Sequence, residues 1–85
     1  MKLKRDMKTE IFMNNIEDVL KELEYARTHF AAFNSAHEGY AVLLEEVDEL
    51  WDEIKKKEPC PIKVRAETIQ VAAMALRFLE DICHE

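Results

Sequence analysis

The sequence predicts an all-α fold: a compact antiparallel bundle of three main helices, completed by homo-oligomerisation. Three observations carry that expectation. Apolar residues recur at steps of three and four along most of the chain, the spacing of a helix face. The strongest helix breakers are few, one Gly and two Pro, and they fall near two points that divide the chain into three segments. The length of 85 residues with 48% hydrophobic content is enough for one small core and leaves a marginal monomer. Residues 1–85 therefore read as a single helical domain, with 1–9 as a frayed start.

The first helix is expected from Glu10 to about Phe33. Phe12, Ile16, Val19, Leu20, Leu23, Ala26, Phe30 and Phe33 share one face, and Asp18, Lys21, Glu22 and Glu24 occupy the other. The segment FNSAHEG interrupts this pattern. Ser35 and Glu38 have capping-box spacing, in which Ser35 accepts from an early amide and Glu38 reaches back to the Ser35 amide.

The second helix follows and runs to Lys56 or Lys57, where Lys55, Lys56 and Lys57 suit the negative end of the macrodipole. Gly39 in its first turn has two readings, close packing against a neighbouring helix or room for a ligand. Leu43, Leu44, Val47, Leu50, Trp51 and Ile54 form one apolar arc and are expected in the core.

EPCP ends the second helix, and Pro61 suits the opening turn of a third, which continues from Ile62 or Lys63 to Ile82. Short connections imply antiparallel neighbours. VAAMALRFL is apolar around nearly its whole circumference, with Arg77 its only charge. Such a helix is expected to be enclosed on several sides, by crossing a subunit interface in a homodimer or homotetramer. The competing reading is a central helix sandwiched between the other two.

A net charge of -6 argues against a nucleic-acid polymer as partner, since that needs a coherent basic surface. No apolar run reaches membrane-spanning length, so no membrane partner is expected and the location is read as cytoplasmic. Cys60 and Cys83 form no ligand set with the three histidines and read as free thiols.

The acids of LLEEVDELW need a separate account. Asp48 and Asp52 lie opposite the apolar arc and need only water. Glu46, Glu49 and Glu53 stack along one flank beside the arc. They are boundary glutamates in water, partners for basic residues of another helix, or, for Glu46 and Glu49, ligands to a shared cation. Glu67 then appears on the same face as Val71, Met74 and Phe78, where an ionised carboxylate needs a partner or a metal. Two carboxylates on helix two and one on helix three can offer oxygens to magnesium, which takes octahedral oxygen ligation and keeps waters for substrate phosphates. Gln70, one turn after Glu67, can add a neutral carbonyl to this metal set or orient a water. Zinc is disfavoured because neither Cys-x-x-Cys nor His-Glu-x-x-His is present. Asn34, His37, Lys63 and Arg65 are candidate substrate contacts, although capping and solvation also account for them.

EEVDE (Glu45, Glu46, Glu49) followed on a later helix by ETIQ (Glu67, Gln70) resembles the MazG-like nucleotide pyrophosphohydrolases of the all-alpha NTP pyrophosphatase group. Their pattern is a paired glutamate, two residues and another glutamate, then a glutamate and an aspartate three residues apart. Gln70 stands in place of that aspartate and removes one negative charge. The likeness extends from Phe33 to Asp81. It implies a helical homo-oligomer that binds Mg2+ and cleaves a nucleoside triphosphate between the α and β phosphates. Glu46, Glu49 and Glu67 carry over as metal ligands, and Glu45 as the catalytic carboxylate, either supporting those ligands or positioning water. The alternative is a non-catalytic helical nucleotide-binding or assembly module.

Overall fold

A computed structural model describes residues 6–84, which contain three helices and no strand. Helix α1 spans Met7–His29, α2 Ala36–Ile54 and α3 Pro61–Asp81. Expectations that fall on residues 1–5 lie outside the described part. The frayed start is corrected for the rest of its range: Met7 to Thr9 are helical, because Asp6 caps the helix by accepting from the Thr9 amide at 2.8 Å. That contact holds the Asp6 carboxyl below the usual range.

α1 stops at His29, four residues before the expected Phe33. The physical reason is tertiary. Arg77 of α3 donates to the carbonyl of Phe30 at 2.9 Å and to that of Ala31. Asp81 accepts from the Phe33 amide at 3.0 Å, and the Arg77 guanidinium lies 4.9 Å from the Phe33 ring centroid. These contacts draw the chain into extended backbone at Phe30 and bury Phe33 in the core. The lone charge of VAAMALRFL thus ties the α1–α2 connection to the end of α3.

Ser35 caps α2 as expected, accepting from the Glu38 amide at 3.1 Å. The return arm differs: the Glu38 carboxylate takes hydrogen bonds from the backbone and side-chain nitrogens of Asn34, not from Ser35. α2 ends at Ile54, before the lysines, with Lys55 as its C-cap. Pro61 opens α3, where its missing N–H costs nothing.

Residue pairings give the layout. Gly39 meets Phe78, and Glu46 and Glu49 meet Glu67, so α2 and α3 run antiparallel. Asn15 and Asp18 meet Arg65, and Arg27 meets Glu80, so α1 and α3 run parallel. α1 and α2 both pack on α3 and not on each other. The order across the molecule is therefore α1, α3, α2, and α3 is the sandwiched helix.

This layer is flat and open, 47 × 42 × 20 Å, instead of a compact bundle. Its radius of gyration is 15.2 Å, against about 12 Å for a compact chain of this length. The buried apolar core is Leu23, Ala26, Phe33, Ala73 and Met74. Much of the expected α2 arc is not in it. Leu43 packs against the core, but Leu44, Val47, Trp51 and Ile54 are exposed, Trp51 to 57%.

Gly39 explains how α2 is turned. A Cβ there would lie 2.7 Å from the Phe78 ring and 3.0 Å from Phe33, so the absent side chain permits close packing. The ligand-space reading of Gly39 is thereby set aside. Close approach at Gly39 directs one flank of α2, with Leu43, Glu46 and Glu53, toward α3. Among the described residues no helix is long and apolar enough to cross a membrane. Cys60 and Cys83 are free thiols, as expected.

Candidate metal centre

Midway along the α2–α3 contact, helical spacing and antiparallel direction bring acids face to face. Glu46, Glu49 and Glu67 each offer a carboxylate oxygen, and these oxygens lie within 4.8 Å of one another. Glu46 and Glu67 are half-buried, while Glu49 is exposed. Oε2 of Glu67 and Oε1 of Glu53 are shut off from solvent and have no hydrogen-bond partner. The other Glu53 oxygen accepts from Lys56 at 2.7 Å.

Electrostatics follow from this geometry. Burial pushes the Glu46 carboxyl up to about 7; the charges of Glu49 and Glu67, a hydrogen bond with Glu49 and the charge of Glu45 add to it. Glu67 is raised as well, first by burial, then by the Glu49 charge, a hydrogen bond to Glu49 and the Glu53 charge. Carboxylates crowded at one half-dry spot share protons, or they share a cation.

The donor set fits a hard divalent cation. It is all oxygen, and its spread approaches the roughly 4.2 Å between opposite ligands around an ion with bonds of about 2.1 Å. The buried, unpartnered Glu67 oxygen is the kind of atom that a bound ion satisfies. Glu46, Glu49 and Glu67 are the residues that could hold a metal ion.

A cavity of about 280 Å³ adjoins the acids, and Glu46 belongs to both. Tyr25, Phe30, Phe33 and Met74 give it apolar and aromatic walls; Gln70 and Glu38 add polar groups. Gln70 thus lines the cavity beside Glu46. Glu45 is exposed, and its charge is felt at Glu46.

The candidate substrate contacts separate. Asn34 is engaged with Glu38 at the helix cap. His37 lies in a shallow depression with Ala36, Tyr40 and Phe78, apart from the acids. Arg65 donates to Asn15 at 3.0 Å and Asp18 at 2.7 Å, which assigns it to the α1–α3 contact. Lys63 is exposed one turn before Glu67 on the same helix face. Asp81 pairs with Arg77 at the far end of α3.

Glu53 also belongs to the acid flank at this contact: it lies four residues after Glu49, a spacing legible in the sequence, and its charge acts on Glu67. Tyr25 gave no signal, because it lies off the apolar face of α1 and reaches the cavity only through the fold. No family model, curated protein or solved structure matches this chain.

Proposed function

We propose that the chain is a Mg2+-dependent nucleoside triphosphate pyrophosphohydrolase, converting an NTP or dNTP and water to the monophosphate and pyrophosphate. The observation that carries this reading is the convergence of Glu46, Glu49 and Glu67 beside an aromatic-walled cavity that shares Glu46. Glu46, Glu49 and Glu67 hold the cation. When bound, Mg2+ neutralises phosphate oxygens and lowers the pKa of coordinated water. In this reading Glu45, exposed beside Glu46, orients the attacking water and accepts its proton on a carboxylate oxygen. The exposed rings of Tyr25 and Phe30 suit the flat face of a base, and Gln70 offers both a donor and an acceptor to its edge. In this reading Lys63, exposed at the opening of α3, meets a phosphate oxygen. The free thiols suit a cytoplasmic enzyme, and the marginal core suits a homodimer or homotetramer.

One observation favours a second reading, a non-catalytic nucleotide-binding or assembly module: Gln70 supplies no charge where the resembled family has an aspartate. A panel of NTPs and dNTPs assayed for pyrophosphate release with and without Mg2+ separates the two. Metal-dependent release lost in Glu49→Gln, with the fold intact by circular dichroism, supports the enzyme. Folded, self-associated protein that is inactive across the panel leaves the binding module.

A further inference from the structure

Tyr40, Leu44, Val47, Trp51 and Ile54 lie at alternating steps of four and three along α2, the repeat of a coiled-coil seam. All five are exposed, from 41% at Leu44 to 61% at Tyr40. The stripe is separate from the flank of α2 that meets α3, which carries Gly39, Leu43, Glu46 and Glu53. α2 is therefore covered by α3 along one flank, and the apolar stripe beside that flank is uncovered within the chain.

The surface area indicates what covers the other. A folded monomer of 10.0 kDa is expected to expose about 5,200 Å². This chain exposes 6867 Å², an excess of roughly 1,600 Å² over that scaling. A standard protein interface takes about 800 Å² from each partner, and obligate homodimers take more. The excess is of the size that one protomer buries in an obligate homodimer. A seam of four-three spacing is complementary to a copy of itself, since each side chain meets the gap between side chains of an identical helix.

We propose that the Tyr40–Leu44–Val47–Trp51–Ile54 stripe of α2 docks on the same stripe of a second copy across a two-fold axis. The assignment rests on the self-association included in the proposed function and names its surface: α2, not the interior helix α3. It leaves the acid flank of both copies facing away from the seam.

The only tryptophan in the chain, Trp51, reports on this contact directly. Sedimentation velocity and tryptophan fluorescence are measured together over a dilution series of the whole chain. The expected result is a dimer whose dissociation on dilution coincides with a red shift of Trp51 emission. In Leu44→Glu/Val47→Glu, both positions being exposed in the single chain, helicity is expected to persist while dimerisation weakens at least about 100-fold. A wild-type chain that is monomeric at every concentration overturns the self-association and this surface together. A dimer that persists in the double variant, or whose Trp51 emission stays that of exposed indole throughout, overturns the surface alone.

Discussion

The two contacts made by α3 handle charge in opposite ways. Against α1, each charge meets its complement: Arg65 pairs with Asp18, and Arg27 pairs with Glu80. Against α2, carboxylates meet carboxylates at Glu46, Glu49, Glu53 and Glu67, and two of their oxygens are buried without a donor. The same helix serves both contacts, so the difference does not come from a general shortage of cations. The α1–α3 contact carries its own counter-charges, whereas the α2–α3 contact leaves buried carboxylate oxygens that a proton or a cation would satisfy.

The largest expected effect tests the anchor that fixes both contacts at one end. Arg77→Ala removes a buried guanidinium from two carbonyls and from Asp81. Loss of one partner of a buried pair costs about 3–5 kcal/mol, which urea denaturation should show as a lower midpoint. A loss below 1 kcal/mol would mean that the α1–α2 connection does not depend on α3.

Metal and pH sharpen the contrast next. Glu46 titrates near 7 in the fold against an ordinary 4.5. Between those values the folded chain holds a proton that the unfolded chain has released, so metal-free stability should fall as pH rises through that window and level off above it. Added Mg2+ should raise Tm at pH 8, by the equivalent of about 2.7 kcal/mol at one hundred times its Kd, and should have little effect at pH 4.5. Differential scanning calorimetry with and without a chelator reads both trends. A Mg2+ effect equal at the two pH values would remove the carboxylate cluster as its cause.

Gly39→Ala probes the packed end of the α2–α3 contact. Overpacking against Phe78 and Phe33 costs about 1–3 kcal/mol, less the roughly 1 kcal/mol that Ala gains in helix propensity. Phe78→Leu should recover part of the loss in the double variant, as measured by chemical denaturation.

The smallest pair of effects should differ in sign. Asp18→Asn breaks a half-exposed ion pair and should lower stability by about 1 kcal/mol or less. Glu67→Gln, measured without metal at neutral pH, should raise it by a similar amount, because it removes a charge from among like charges. Thermal melts of the two variants under one buffer condition make the comparison; equal signs would erase the distinction between the contacts.

Much of the local structure was legible from residue order. Ser35 marks the α2 cap, Pro61 opens α3, and the spacing of Glu46, Glu49 and Glu67 anticipates the cluster that the fold assembles. Its less legible members came from outside the motif. Tyr25 and Phe30 reach the cavity from α1 and its end, and Glu53 enters through its position opposite Glu67. Arg65 looked available to a phosphate until the parallel α1–α3 register placed Asp18 beside it.

The sequence by itself determined that there are three helices and nearly where each begins, because caps, prolines and i+3/i+4 periodicity act within a turn or two of backbone. Only the tertiary structure decided which side of α2 meets α3, that α3 lies between the other two, and that α1 ends at His29. Those outcomes depend on contacts between residues far apart in the chain: Phe78 and Phe33 against Gly39, and Arg77 against the Phe30 and Ala31 carbonyls. Periodicity marked one apolar arc of α2, from Leu43 to Ile54, for burial. Close approach at a single glycine turned the Leu43 edge of that arc and the acid flank toward α3, and left Leu44, Val47, Trp51 and Ile54 outward.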